Sequence, residues 1–125
     1  MKKRENHRKI GKEKEDLAVF YLQKAGCHIL ERNFYMRGGE LDIVAKEGET
    51  ILFVEVKYRR NANYGGPESA ITYQKQIHIA KTALYYIKKK NIPLECPFRF
   101  DSIVICGSSI QWIKNAFDFP ETLGF

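Results

Sequence analysis

Apolar positions along the chain change their period several times, and each change marks an element. Leu17, Ala18, Tyr21, Leu22 and Ala25 recur at helical spacing and Gly26 supplies a stop, so the sequence predicts a first helix over Glu13 to Ala25. Residues 1–12 contain only Met1 and Ile10 as large apolar residues among several Lys and Arg, a pattern expected of a flexible basic tail. Three strands are predicted next, Cys27 to Phe34, Glu40 to Lys46 and Thr50 to Tyr58, separated by turns at Arg37-Gly38-Gly39 and Glu47-Gly48-Glu49. They read as an antiparallel meander. The third is apolar on both faces until Glu55 and Lys57 interrupt one of them, as expected of a central strand with helices on either side.

A loop rich in Arg, Asn and Gly follows, and Pro67 is expected to open a long helix whose core-facing seam is Tyr73, Ile77, Ala80, Leu84 and Ile87. Lys88-Lys89-Lys90-Asn91 and Pro93 end it. A fourth strand is predicted from Phe98 to Cys106 and a short fifth from Ile110 to Ile113, joined through Gly107-Ser108-Ser109. A helical crossover makes the third and fourth strands parallel, whereas tight turns make the other sequential neighbours antiparallel. The expectation is a single α/β domain over residues 1–125 with a mixed five-stranded sheet between helices.

Composition narrows the function classes. At 125 residues, 44% of them hydrophobic, the chain can bury a core without staples. Cys27, Cys96 and Cys106 are odd in number and form no CxxC pair, which argues against a disulfide framework and a paired-thiolate zinc site and fits a reducing cytoplasm. Neither a signal peptide nor a membrane span is expected from the apolar runs. The 21 basic residues against 15 acidic ones give a net charge of +6, which favours a polyanionic partner.

The candidate chemistry lies in the meander. Glu55 and Lys57 share a strand face, and a two-residue turn at Gly48-Glu49 sets Asp42 opposite Glu55. Opposed carboxylates in a half-buried sheet repel unless a proton or cation lies between them, and a hard divalent ion, Mg²⁺ or Mn²⁺, suits their oxygens. An ammonium beside them can hold a water or a phosphate oxygen during attack on phosphorus. Spacing alone leaves two readings open: a metal site for phosphodiester hydrolysis, or a structural ion network on a strand face. Glu40 is expected beside this group as an outer residue.

Gly38-Gly39-Glu40-Leu41-Asp42-Ile43-Val44, followed by Phe53-Val54-Glu55-Val56-Lys57-Tyr58-Arg59, resembles the signature of PD-(D/E)XK nucleases, with Asp42, Glu55 and Lys57 at its acidic and basic positions. More closely, the chain resembles the small bacterial YraN-type family, whose pattern also includes a helix-borne Glu (Glu15), Lys75-Gln76 on the second helix and Arg99-Phe100-Asp101 on the fourth strand. The resemblance spans about Gly11 to Phe117. It departs at Lys14, where the family often has Gly, and at Leu41, where the nuclease motif has Pro. It implies a restriction-endonuclease-like, three-layer α/β/α sandwich, similar to archaeal Holliday-junction resolvases. It also implies an endonuclease dependent on Mg²⁺ or Mn²⁺ that acts on branched or otherwise structured DNA. On that reading Asp42 and Glu55 bind the metal, Lys57 positions the attacking water, and Glu15 assists through a water or a second ion. The alternatives are a non-catalytic nucleic-acid-binding or assembly module on the same fold, and an RNase.

For nucleic acid contact the residues expected are Arg59, Arg60 and Tyr64 in the basic loop, with Lys75 and Gln76 on the second helix; a mobile loop and a solvated lysine are the plain alternatives. Arg99 and Asp101 share a strand face and are expected to pair with each other. His7, His28 and His78 lack the spacing of a zinc site, and the Gly-Gly pairs lack the Lys-Ser/Thr partner of a nucleotide loop. A two-fold substrate would suit a homodimer, although no stretch of the chain declares an interface.

Overall fold

The computed structural model describes the backbone of residues 2–59 and 71–124 and the side chains of residues 9–59 and 71–124. The chain runs α1 (Lys2–Lys24), β1 (His28–Met36), β2 (Gly39–Glu47), β3 (Thr50–Arg59), α2 (Tyr73–Lys89), β4 (Phe98–Cys106) and β5 (Ser109–Phe117), and a 3₁₀ turn follows at Glu121–Leu123. The sheet order is β1-β2-β3-β4-β5, with β3 and β4 parallel and every other neighbouring pair antiparallel. This is the mixed topology expected from one helical crossover among tight turns. Gly48, at φ +60°, opens the two-residue turn between Glu47 and Thr50, a backbone conformation that L side chains rarely adopt. That turn fixes the register of β2 on β3.

Strand alternation sorts the buried residues into two clusters. Val44, Phe53 and Phe100 gather with Ile79, Ala80, Ala83 and Tyr86 of α2. Ile43, Leu52, Val54 and Ile103 gather with Ala18 and Leu22 of α1. Alternate residues of β2, β3 and β4 thus serve opposite clusters, and the apolar run of β3 is explained by burial on both sides.

Three predicted boundaries shift by more than two residues. α1 begins at Lys2, far before Glu13, because Lys2 to Lys12 are mostly good helix formers with no apolar period to reveal them. α2 begins at Tyr73 with Thr72 as an extended cap whose hydroxyl accepts from the Lys75 amide; Pro67, expected to open it, lies outside the described residues. β5 continues to Phe117, past the predicted Ile113, through an irregularity opposite Phe100 and Ser102.

The buried stripe of α2 shares Ala80 and Ile87 with the predicted seam but is otherwise rotated from it. Ile79, Ala80, Thr82, Ala83, Tyr86 and Ile87 are buried, whereas Tyr73 is half exposed and shares a hydrogen bond with the Thr122 hydroxyl. The small residues in that stripe allow a close approach: a Cβ at Gly39 would overlap Thr82 Oγ1, which donates to the His78 carbonyl. Gly39→Ala is therefore expected to cost about 1–3 kcal/mol in urea unfolding, and adding Thr82→Ala should recover much of the loss. Equal stability of Gly39→Ala and the parent would contradict the close packing.

Candidate active site

The β2–β3 ladder runs from Glu47↔Thr50 to Ile43↔Val54 and stops one pair before Asp42 and Glu55. The register expected from the turn is therefore observed, but the strands part where the two carboxylates would face each other. Leu41 and Ile43, two residues apart, belong to different clusters, so β2 changes face at Asp42. Neighbouring β1 has Asn33 in the left-handed region at φ +52°, and Phe34 also joins the α2 side. The Asp42 side chain turns toward β3, where Oδ2 accepts the Val56 amide at 2.9 Å. A side-chain carboxylate thus takes a backbone donor near the end of the ladder.

Asp42 lies among like charges. Burial and the Glu55 carboxylate push its pKa from 3.8 up to about 7; Glu40 adds to the rise, while the Val56 amide and Lys75 oppose it. Glu55 is only 8% exposed, and its Oε1 lies 2.9 Å from Lys75 Nζ. The Lys75 pKa is raised, first by that hydrogen bond. Helical spacing explains the contact: Lys75 stands one turn before Ile79, in line with the buried stripe of α2, and from this half-exposed position its side chain reaches Glu55. Lys57 follows Glu55 on the same strand face, and its pKa is lowered, first by burial and then by Arg59.

Glu15 approaches from the other side. With Glu40, Asp42, Lys14 and Tyr58 it lines a cavity of about 270 Å³. Its Oε1 accepts from Arg32 Nε at 3.0 Å and Asn33 Nδ2 at 2.9 Å. Glu15 thus shares a cavity with Asp42 while being held by β1. Among the described residues, no three His, Cys, Asp or Glu side chains form a group that could hold a metal ion. Asp42 and Glu55 offer carboxylate oxygens of the kind Mg²⁺ and Mn²⁺ accept, and such ions keep several waters, so a two-carboxylate site suits them.

The remaining predicted residues divide. Gln76 Nε2 donates to the Ile71 carbonyl at 2.8 Å and so braces the start of α2. Arg59 is the last residue of β3, opposite Cys106; Arg60 and Tyr64 lie outside the described residues. Arg99 pairs with Asp101 as expected, at 2.9 Å. Sequence reasoning missed Ser102, whose buried hydroxyl has no hydrogen-bond partner among the described residues and which is paired with Glu55 across β3 and β4. Only the parallel register, invisible in the local pattern, places it there. Among the described residues no helix is long and apolar enough to cross a membrane.

A family model described as "Uncharacterised protein family UPF0102" matches residues 14–105. The chain is 49% identical over 113 residues to a UPF0102 protein of Lachnoclostridium phytofermentans, covering 90% of this chain and 96% of that protein. It is 41% identical to one from Aliivibrio salmonicida, covering 93% and 97% of the two chains. It is 48% identical to one from Persephonella marina, covering 86% and 92%.

Proposed function

The chain belongs to the UPF0102 family, and we propose that it is a divalent-metal-dependent endonuclease of the PD-(D/E)XK type, acting on branched or otherwise structured DNA. The observation that carries this reading is the placement of Asp42 at the parting of β2 and β3, under the charge of Glu55, with Lys57 on Glu55's strand face. A helix packed with each cluster of a mixed sheet is compatible with a three-layer, restriction-endonuclease-like sandwich.

On this reading Asp42 and Glu55 hold Mg²⁺ or Mn²⁺, which when bound supplies Lewis acidity toward phosphate and activates water. The Val56 amide fixes one Asp42 oxygen and leaves the other for the ion. Lys57, whose proton is held less tightly because of burial, positions the attacking water and offsets charge developing on phosphate. Glu15, on the cavity wall, takes an outer role through water, and Lys14 and Tyr58 on that wall suit phosphate contact and base stacking. Contacts of this kind favour substrate shape over base sequence.

A specific observation favours a second reading. Glu55 already has a cationic partner in Lys75, as in a binding or assembly module that needs no metal. Incubation with branched DNA, linear DNA and structured RNA in Mn²⁺ separates the readings. Metal-dependent cleavage of branched DNA, absent in EDTA, is the expected result. Binding without cleavage under any metal supports the module, and cleavage of RNA alone supports an RNase.

A further inference from the structure

We propose that Lys75 is a built-in counter-ion of the carboxylate pair, holding Glu55 while no metal is bound and giving it up to a divalent ion. The inference rests on the metal site proposed above and adds an exchange that the metal reading alone does not require.

The two partners of this ion pair are unequally fixed. The Glu55 side chain is 9% exposed and set in the sheet, whereas the Lys75 side chain is 51% exposed on a flexible stem at the start of α2. If one partner leaves, it is the lysine. Its helix position also works against its staying for local reasons: it lies in the first turn, where amide dipoles favour acids, and that turn contains no acidic residue. The ammonium is compensated across space by Glu55 rather than by its own helix.

Charge accounting points the same way. Asp42 and Glu55 are two negative charges when ionised, and Lys75 balances one of them. A divalent ion balances both and repels an ammonium held 2.9 Å from the Glu55 oxygen it would need. Metal and lysine therefore compete for the same carboxylate. Lys75 keeps a mostly buried acid compensated in metal-free protein and withdraws into solvent when the stronger cation arrives.

The test measures Mn²⁺ binding by electron paramagnetic resonance without substrate, in the parent protein and in Lys75→Gln, Lys75→Ala and Lys75→Arg, with Asp42→Asn as the site control. Lys75→Gln and Lys75→Ala should bind Mn²⁺ about tenfold more tightly than the parent, and Lys75→Arg close to the parent. Thermal midpoints should fall in metal-free Lys75→Gln and Lys75→Ala, and Mn²⁺ should raise them by more than it raises the parent's. Unchanged or weaker Mn²⁺ affinity in both neutral variants overturns the counter-ion role while leaving the metal site standing. Absence of any Mn²⁺ binding sensitive to Asp42→Asn, in parent and variants alike, overturns both.

Discussion

Asp42→Asn is expected to lower metal-dependent cleavage by at least about a thousandfold while leaving DNA binding within a fewfold and making the metal-free protein more stable above pH 7. On the proposed metal reading, the loss of activity follows from removing the charge of a ligand oxygen. The gain in stability follows from the environment of the native carboxyl. Because Asp42 ionises near 7 in the folded chain and near 3.8 when unfolded, the native state binds a proton between those limits that the unfolded state has lost. Stability therefore falls as pH rises from about 4 to about 7, and above that window the ionised carboxylate costs up to about 4 kcal/mol. Asparagine removes that cost and can still accept the Val56 amide. Thermal unfolding in EDTA at pH 5 and pH 8 should show a flatter pH dependence for Asp42→Asn and a higher midpoint at pH 8. A lower midpoint at pH 8 would contradict the strained-carboxylate description.

Asp101→Ala is expected to act in the opposite direction, costing about 3–5 kcal/mol of stability and lowering the thermal midpoint by about 10–20 °C. The Asp101 side chain is fully buried and accepts from Arg99 Nε at 2.9 and 3.2 Å, Trp112 Nε1 at 2.9 Å and the Asn115 amide at 2.9 Å. Arg99 in turn reaches Glu47 at 2.8 Å, and Lys114 reaches the other Glu47 oxygen at 3.1 Å. Truncation leaves three part-buried donors without their acceptor, one of them on Arg99, which also loses half its compensation, so the penalty exceeds that of a surface ion pair. Asp101→Asn keeps one acceptor oxygen and should cost less than the alanine change. Urea unfolding decides the matter, and a cost below about 1 kcal/mol for Asp101→Ala would show that the network is dispensable. The two aspartates are thus separable by experiment: Asp101 is fully compensated and stabilises the fold, whereas Asp42 is only partly compensated by the Val56 amide and Lys75.

That distinction was only partly legible in the sequence. The order of elements could be read because apolar periods of 3.6 and 2 are interrupted by glycine turns, and the parallel β3–β4 pair follows from the intervening helix. The two-residue turn at Gly48-Glu49 also made the register of β2 on β3 readable, as far as Ile43↔Val54. The parting of the strands was not readable, since the face change at Asp42 depends on how β1, β2 and both cores pack together. The Lys75–Glu55 contact was not readable for a related reason. Counting apolar residues predicts a seam of Tyr73, Ile77, Ala80, Leu84 and Ile87, of which Ala80 and Ile87 are buried; Ile79, Thr82, Ala83 and Tyr86 also face inward, with Thr82 close against Gly39, and the half-exposed Lys75, one turn before Ile79, reaches Glu55. Polar helix formers likewise concealed the beginning of α1. The YraN-type resemblance is borne out by the UPF0102 match, which by its own description assigns no activity.

The central claim is that Asp42 and Glu55 together hold a divalent ion. Its most direct test is a crystal soaked in Mn²⁺ with data collected for anomalous scattering. The account expects the principal peak about 2.1 Å from a carboxylate oxygen of each residue, with Lys75 Nζ withdrawn from Glu55. A principal peak elsewhere, or none at the pair while both carboxylates remain accessible, would contradict it.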